Sequence, residues 1–318
     1  QKGCSMNSQS HKFSQKTFSA VSRQDGLVLD VLALVPESPK AIVQLAHGMC
    51  EHKERYLPFM EYLAGLGFLC VINDHRGHGK SVRSMEDLGY FYANGGPSLV
   101  KDLHQITCMI RKQYPDLPFF FFGHSMGSLA ARVYLKYYEK ELDGLVVCGS
   151  PSNQPMAGFG LFLVRLLSRI KGSHARSPLV NQLFSASFEK PFQSEGMVHA
   201  WISKDRSVVE AYNASPYCNF TFTLNGYESL LWLVQQTYSR KGWNVRNPDL
   251  PILFVSGSDD PCMVSKKKFQ KSAETLRKAG YKHVSAKLYS GLRHEILNEK
   301  ERCLVYKDIS AFFTHILS

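Results

Sequence analysis

The sequence lacks the features that mark a membrane-spanning protein or one held together by closely paired cysteines. Its 318 residues contain no apolar run of 18 residues, about the shortest length that predicts a membrane-spanning helix. The eight cysteines are scattered without C-x-x-C spacing, and several lie in apolar stretches, where a cysteine behaves as a small buried hydrophobe. We therefore expect a protein of the reducing cytoplasm.

The sequence also lacks the motifs that accompany nucleic-acid binding. Lysine and arginine number 38 and aspartate and glutamate 27, so the formal net charge at pH 7 is +11. Such an excess attracts anionic membranes or nucleic acids. However, no helix-turn-helix signature, zinc finger or RNP-like motif accompanies the charge, and no internal repeat is present. We interpret the charge as a solvated basic surface and expect no nucleic-acid partner.

What the sequence does contain is an alternation of strand and helix patterns. Apolar or β-rich segments predict strands at residues 13–21, 27–35, 41–46, 68–73, 118–122, 144–149, 251–256 and 284–289. Apolar residues at helical spacing predict helices at residues 55–66, 98–113, 125–139, 265–279 and 299–317. Asp25-Gly26 is a hairpin turn signal, so the first two strands are expected to be antiparallel. The remaining alternation predicts a mostly parallel, eight-stranded sheet with helices on both faces.

One long segment interrupts this alternation. Residues 151–240 contain helical patterns and several aromatic residues but no convincing strand. We predict a helical insertion, or lid, over the carboxyl ends of the strands, where ligands bind in open α/β sheets. The core domain then comprises residues 13–150 and 241–318, and residues 1–12 are a flexible N-terminus or a cloning remnant.

A G-x-S-x-G motif at residues 123–127 lies between a predicted strand and a predicted helix. A serine exposed on such a tight turn needs neighbours without a Cβ, so that the backbone can bend and a substrate carbonyl can approach its oxygen. The pattern therefore predicts Ser125 as a nucleophile. The amide that follows it, on Met126, is expected to point into an oxyanion hole.

A nucleophilic serine needs a base, and the base needs an acid that orients it. The loop after strand 284–289 offers His294 as the base, and the loop after strand 251–256 offers Asp259 or Asp260 as the acid. Adjacent residues in an extended segment point to opposite sides, so one aspartate should face His294 and the other should cap the following turn. Spacing does not decide between the two.

The loop that begins with His47-Gly48 follows the strand expected beside the nucleophile strand. It offers the backbone N–H of Met49 as a second oxyanion donor. A metal site is an alternative for this region, because four histidines, at positions 47, 52, 75 and 78, lie close to Asp74 in the sequence. Their spacing matches no common zinc pattern, so we expect neither a metal nor a cofactor. Asp74 and Arg76 are instead expected to brace the loop as an ion pair.

Five motifs together resemble one protein family. They are His47-Gly48-x-x-Glu51-His52-x-x-Arg55-Tyr56, Asp74-His75-Arg76-Gly77-His78-Gly79-x-Ser81, Gly123-His124-Ser125-Met126-Gly127, Gly257-x-x-Asp260 and Gly291-x-x-His294. In this order they resemble the monoglyceride lipase and lysophospholipase branch of the α/β-hydrolases, whereas the insertion looks more like that of bacterial relatives.

The resemblance implies an α/β-hydrolase fold with Ser125 as nucleophile, His294 as base and Asp260 as acid. It also implies oxyanion amides at Met49 and Met126. The implied activity is hydrolysis of carboxylic esters, such as monoacylglycerols or lysophospholipids, through an acyl-enzyme. Relatives described as serine aminopeptidases share these motifs, so an aminopeptidase or amidase is the alternative. A non-catalytic binding protein on the same scaffold is a further alternative, against which the intact triad argues.

An aminopeptidase would need acidic groups in the lid to hold the ammonium of its substrate. The available residues are Glu189, Glu195, Asp205, Glu210 and Glu228.

The predicted lid contains an unusually apolar helix. Residues 158–171 are apolar over most of the helix circumference, with Arg165, Arg169 and Lys171 as interruptions. A helix of this kind packs on the core, lines a pocket or lies on a membrane with its cations toward the lipid head groups. We expect an apolar lid that binds an acyl chain, with Phe159, Phe162 and Trp201 as candidate substrate contacts, and transient contact with a membrane surface.

Overall fold

The computed structural model describes residues 11–318, so the prediction for the N-terminal residues 1–10 lies outside the described residues. Eight strands form one sheet: β1 (Phe13–Val21), β2 (Val28–Pro36), β3 (Ala41–Ala46), β4 (Phe68–Asn73), β5 (Phe119–His124), β6 (Gly144–Cys148), β7 (Ile252–Gly257) and β8 (Val284–Tyr289). Their spatial order is β1-β2-β4-β3-β5-β6-β7-β8. Only the pairings of β2 with β1 and β4 are antiparallel, which confirms the predicted hairpin and the mostly parallel sheet.

Nine α-helices accompany the sheet in the described part of the chain. They are α1 (Leu57–Gly65), α2 (Gly95–Gln113), α3 (Met126–Tyr138), α4 (Ala157–Lys171), α5 (Pro178–Glu189), α6 (Arg206–Ala214), α7 (Leu224–Tyr238), α8 (Lys266–Ala279) and α9 (Arg302–Leu317). The five helices predicted outside the insertion are all present. Their ends differ by at most three residues from the predicted ends, because helix termini depend on local capping.

The central strand β5 explains why the sheet is covered on both faces. Its four consecutive phenylalanines are fully buried. Side chains alternate across a strand, and Phe119 and Phe121 join one hydrophobic cluster while Phe120 and Phe122 join another. The first cluster includes side chains of α2, α3, α7 and α8, and the second includes side chains of α1 and α9. A strand this apolar is stable only when helices exclude water from both of its faces.

The segment between β6 and β7 is helical and contains no strand, as its pattern predicted. Its last helix, α7, packs against α2, α3 and α4, and α4 is buried on one face through Leu161 and Val164. Within residues 11–318, no helix is both long and apolar enough to cross a membrane.

Candidate active site

The backbone at Ser125 is held in a conformation that non-glycine residues rarely adopt. Its φ is +53° and its ψ is −120°, between the end of β5 and the first turn of α3. Such a conformation costs of order 1–3 kcal/mol and persists only where the surroundings enforce it. Both flanking glycines are needed, since a Cβ on Gly123 would lie 2.5 Å from the Gly127 carbonyl oxygen, and one on Gly127 would lie 2.1 Å from the Ala46 carbonyl oxygen.

Three side chains from separate loops meet at this turn. The Ser125 Oγ lies 2.9 Å from Nε2 of His294, and Nδ1 of His294 lies 3.0 Å from Oδ1 of Asp260. An ionised carboxylate only accepts hydrogen bonds, so Nδ1 carries a proton, and in the neutral ring Nε2 then presents a lone pair to the serine hydroxyl. The three residues are nearly inaccessible to solvent, with Ser125 8% exposed.

The structure distinguishes the two adjacent aspartates. Asp260 is buried and accepts hydrogen bonds from the Ser256 hydroxyl at 2.8 Å and the Cys262 amide at 2.9 Å. Asp259 is exposed and accepts a hydrogen bond from the Ser258 hydroxyl. The expectation that the aspartate turned away from His294 caps the next turn is wrong, because Asp260 itself caps the short 3-10 helix Pro261–Met263 while it contacts the histidine.

The electrostatics of this pair favour a strongly basic imidazole. Burial alone would lower the pKa of His294, but the neighbouring Asp260 carboxylate outweighs it and raises that pKa well above its usual value. Burial alone would raise the pKa of Asp260. The charge of His294 and the hydrogen bonds that the Asp260 carboxylate accepts outweigh burial and lower this pKa below its usual value. Asp260 is therefore a carboxylate at neutral pH.

The loop that carries Met49 lies directly beside the serine. A Cβ on Gly48 would lie 3.1 Å from the Ser125 Cβ and 2.7 Å from Oε1 of Glu51, so any larger residue would require these side chains to shift. Met126 is the first residue of α3, and the first N–H groups of a helix have no partner within it. The amides of Met49 and Met126 thus belong to two segments that adjoin Ser125.

A buried network of charged side chains, to which the sequence motifs assigned no role, braces the Met49 loop. Glu51 Oε1 accepts a hydrogen bond from the Gly48 amide at 2.5 Å and one from the Tyr56 hydroxyl at 2.8 Å. Arg55 contacts Glu51 at 2.9 Å and holds both oxygens of Glu295 at 2.6 Å. The network joins the Met49 loop to the residue that follows His294. Two sequence signals pointed to it: the motif that contains Glu51, Arg55 and Tyr56, and the position of Glu295 next to the predicted base.

Three of the four histidines that suggested a metal site hydrogen-bond the backbone, whereas Nδ1 of His52 lies 2.7 Å from Oε2 of Glu54. His47 uses Nδ1 toward the Gly48 carbonyl and Nε2 toward the His75 amide, and His75 uses Nε2 toward the His47 carbonyl. Burial lowers the pKa of His75 to about 3 and that of His78 to about 4, so both rings are neutral at physiological pH. Their role in this loop is to hydrogen-bond a buried backbone.

The expectation that Asp74 and Arg76 form an ion pair is wrong. Asp74 instead accepts a hydrogen bond from Nζ of Lys53 at 2.9 Å. Arg76 pairs with Asp102 at 2.8 Å and with Asp25 in the β1–β2 hairpin at 2.9 Å. Long-range partners that no local pattern reveals neutralise both charges.

The three candidate substrate contacts have different surroundings. The Trp201 ring lies 5.1 Å from the His294 ring, and the Trp201 carbonyl accepts the His294 amide at 3.4 Å. Phe159 and Phe162 are 60% and 64% exposed on the outer face of α4. They are not gathered around Ser125, because the opposite face of α4 is the one that packs on the protein.

The acidic residues considered for an amine substrate mostly have partners of their own. Glu189 accepts hydrogen bonds from the Trp201 indole and the His199 amide, and Asp205 caps α6. Glu195 pairs with Arg293, Glu228 pairs with Arg165, and Glu210 is exposed. The described residues therefore leave no buried carboxylate of this set free to hold an ammonium.

Comparison with known proteins places this geometry in context. The chain is 27% identical to a monoacylglycerol lipase of Mycolicibacterium smegmatis over 86% of this chain and 88% of that protein. It is 26% identical to a monoglyceride lipase of Rattus norvegicus over 82% and 78% of the two chains. Among solved structures, a carboxyl esterase from Bacillus coagulans in complex with glycerol superposes with a TM-score of 0.89, at 27% identity, covering 96% of this chain and all of that one.

The same fold is found in a lipase in open form, with a TM-score of 0.86, 24% identity and coverage of 95% and 99% of the two chains. A family model described as serine aminopeptidase, S33, matches residues 37–301, which is more than half of the chain. The protein therefore belongs to the serine aminopeptidase S33 family of α/β-hydrolases.

Proposed function

We propose that this α/β-hydrolase cleaves carboxylic esters of monoacylglycerol-like lipids, with Ser125 as nucleophile, His294 as base and Asp260 as the acid that orients it. The protein is a carboxylic ester hydrolase. The observation that carries the assignment of roles is the continuous contact from Ser125 Oγ through the two nitrogens of His294 to Asp260.

The reaction begins when Nε2 of His294 removes the proton of the Ser125 hydroxyl. The serine oxygen attacks the ester carbonyl, and the tetrahedral intermediate places its negative charge on the former carbonyl oxygen. Asp260 stabilises the imidazolium that forms, and His294 then protonates the departing alcohol. Water, activated by the same histidine, hydrolyses the acyl-enzyme and restores the serine.

The amides of Met49 and Met126 are the donors proposed for the oxyanion. Each is fixed before the reaction, since Gly48 is tied to Glu51 and Met126 opens α3. Preorganised donors stabilise the developing charge without reorganisation, and the loss of one such donor typically costs about 10²- to 10³-fold in kcat.

The helical insertion at residues 151–240 is proposed to be a lid. Backbone hydrogen bonds from His294 and Glu295 to the carbonyls of Trp201 and Ile202 fasten it to the base loop. The burial of Ser125 beneath it implies that substrates enter when the lid shifts. An apolar acyl chain suits such a site, because the insertion supplies mainly aromatic and aliphatic side chains.

An exposed apolar surface on the insertion is proposed to contact the lipid aggregate that supplies substrate. We call it the α4–α5 patch; it comprises Phe159, Phe162, Leu166, Ile170, Leu179 and Leu183, all more than two-fifths exposed. The four on α4 recur at intervals of three or four residues and so share one helix face, and an exposed apolar helix face is unusual on a protein that meets only water. Arg169 and Lys171 at the end of α4 are exposed beside it, whereas Arg165 is paired with Glu228. The proposed place of action remains the cytoplasm, at membrane surfaces.

The nucleophile assignment is tested with Ser125→Ala. Without the hydroxyl no acyl-enzyme forms, so hydrolysis of p-nitrophenyl butyrate should fall by at least about 10³-fold, as it does when a triad member is removed elsewhere. A fluorophosphonate should label the parent protein once and the variant not at all. Labelling of Ser125→Ala, or activity at the parental rate, would refute the assignment.

An aminopeptidase is the second candidate, because the matching family model carries that description. The partners already held by Glu189, Glu195 and Glu228 argue against it. A panel of monoacylglycerols, lysophospholipids and aminoacyl amides separates the two, and a higher kcat/KM for the amides would favour the peptidase.

A further inference from the structure

A second cluster of chemically reactive side chains lies outside the active site, where α2 meets the short 3-10 helix Glu139–Glu141 that follows α3. His104 and Cys108 stand four residues apart on α2 and therefore share one helix face. Glu141 lies 33 residues after Cys108 in the sequence, and its carboxylate contacts the His104 ring. We propose that His104, Cys108 and Glu141 bind a Zn²⁺ ion.

The contacts converge on one ring nitrogen. Nε2 of His104 lies 2.9 Å from Oε1 of Glu141 and 3.4 Å from Sγ of Cys108, and the three ligand atoms all lie within 4.8 Å of one another. A catalytic relay would use the two nitrogens of the histidine separately, as His294 does. A metal ion instead requires that all donors face one point, which is the arrangement here.

Without a metal ion, Nε2 of His104 has two hydrogen-bonding partners, the Glu141 carboxylate and the Cys108 thiol. One ring nitrogen carries at most one proton, so it cannot donate fully to the carboxylate and also accept from the thiol. A cation satisfies all three groups at once, because each then acts as a lone-pair donor. Imidazole, thiolate and carboxylate are the ligands that zinc prefers.

The distances are close to those of a zinc site. With Zn–N and Zn–O near 2.0–2.1 Å and Zn–S near 2.3 Å, neighbouring tetrahedral ligands lie roughly 3.3–3.6 Å apart. The observed separations at Nε2 therefore need to change by only about half an ångström.

Binding transfers the Cys108 thiol proton to solvent, and the thiolate and the Glu141 carboxylate then balance the charge of Zn²⁺. Water occupies the fourth position.

Neighbouring aromatic residues already orient two of the ligands. The Tyr134 hydroxyl donates to Oε2 of Glu141 at 2.6 Å, which leaves Oε1 for the ion. The Tyr138 ring stacks on the His104 ring at 3.7 Å with an interplanar angle of 4°. Such partners fix ligand geometry before the metal arrives. The bound ion would clip α2 to the α3–β6 connection and stabilise the folded state.

The test uses the full chain after EDTA treatment and removal of the chelator. Zinc is titrated in competition with a chromophoric chelator, and the thermal midpoint Tm is measured with and without zinc. The parent protein should bind one equivalent and gain Tm, and Co²⁺ in its place should give a thiolate-to-metal charge-transfer absorption. Cys108→Ser should weaken zinc binding by at least about ten-fold, lose the Tm gain and abolish that absorption, while its zinc-free Tm and ester hydrolysis stay unchanged.

Two comparisons make the result specific. His283→Gln alters an exposed histidine–carboxylate pair with Asp249 that has no thiol, and it should bind zinc as the parent does. The cluster Asp260, Cys262 and His294 is a competing site, but zinc there would engage the catalytic histidine and inhibit hydrolysis. Absence of zinc binding, unchanged binding in Cys108→Ser, or loss of binding only in Cys262→Ser would overturn the proposal.

Discussion

At the residue scale, Asp259 and Asp260 have the same side chain and opposite surroundings. Asp260 is buried, with both carboxylate oxygens engaged by fixed donors and one of them facing His294. Asp259 faces water beside Ser258. Only the buried aspartate is in a position to select the His294 tautomer that leaves Nε2 free to accept the serine proton.

Replacement of the two aspartates should therefore have unequal effects. Asp260→Asn places an amide opposite Nδ1 and favours the wrong tautomer, so kcat for p-nitrophenyl butyrate should fall by about 10³- to 10⁴-fold. Asp259→Asn, the matched control, should remain within about two-fold of the parent, as expected for an exposed site. If Asp259→Asn were the more damaging change, the acid role would pass to Asp259.

The pH dependence of hydrolysis follows from the same pair. Protonated His294 cannot accept the serine proton, and Asp260 raises the pKa of His294 well above its usual value against the opposing effect of burial. Activity should therefore be lost as pH falls through that raised pKa and be greatest on the alkaline side. We expect kcat/KM, measured from about pH 5 to pH 10, to rise with pH along an acid limb that belongs to the free enzyme.

Asp260→Asn supplies the control for that profile. Without the carboxylate, the largest influence that raises the pKa of His294 is lost while burial still lowers it, so the acid limb of the residual activity should move to lower pH. A parental profile that stays flat down to about pH 5 would contradict the assignment of His294 as base.

At the element scale, α4 carries apolar side chains on its outer face as well as on its inner face. Its inner face packs through Leu161 and Val164, and its outer face exposes Phe159, Phe162 and Ile170. A helix that only packed on the core would carry polar residues on the outer face. The position of α4 within the α4–α5 patch therefore favours a role at a lipid surface.

Phe162→Asp should weaken binding to phospholipid vesicles by roughly ten-fold, because burial of a phenylalanine side chain is worth about 1.5–3 kcal/mol. Hydrolysis of soluble p-nitrophenyl butyrate should be unaffected. Leu304→Asp, at a similarly exposed apolar residue on α9, is the matched control and should bind vesicles as the parent does. Equal vesicle binding by all three proteins, measured by co-sedimentation, would rule out the patch as the membrane contact.

At the scale of the whole molecule, the sheet and the insertion have different roles. The sheet positions the three catalytic candidates on loops at the ends of β5, β7 and β8. The insertion, which we propose to be a lid, places Trp201 beside His294 and exposes the apolar residues of α4 and α5. In the proposed function, the sheet positions the groups that react and the insertion selects the substrate.

The proposed apolar acyl site predicts how activity depends on acyl chain length. Burial of each methylene is worth about 0.8 kcal/mol, so kcat/KM should rise by up to roughly four-fold per added methylene until the enclosed space is full. The measurement is a series of p-nitrophenyl esters from acetate to laurate, kept below their aggregation limits. A flat or falling series from acetate onward would contradict an apolar acyl site.

Much of the fold was determined by the sequence itself, because local chemistry specifies it. The four phenylalanines of β5 required cover on both faces, Asp25-Gly26 specified a hairpin, and the glycines around Ser125 allowed a turn that no Cβ would permit. These properties depend on side-chain periodicity and backbone sterics, both of which are readable over a few neighbouring residues.

Tertiary structure alone decided the contacts between distant parts of the chain. Spacing did not distinguish Asp259 from Asp260, nor did it reveal that Arg76 pairs with Asp102, that Glu51 and Glu295 share Arg55, or that Phe162 faces outward. Each of these depends on which surfaces meet after the sheet has closed around its helices. A buried charge takes the partner that packing brings within reach, and the sequence does not encode that partner in any local pattern.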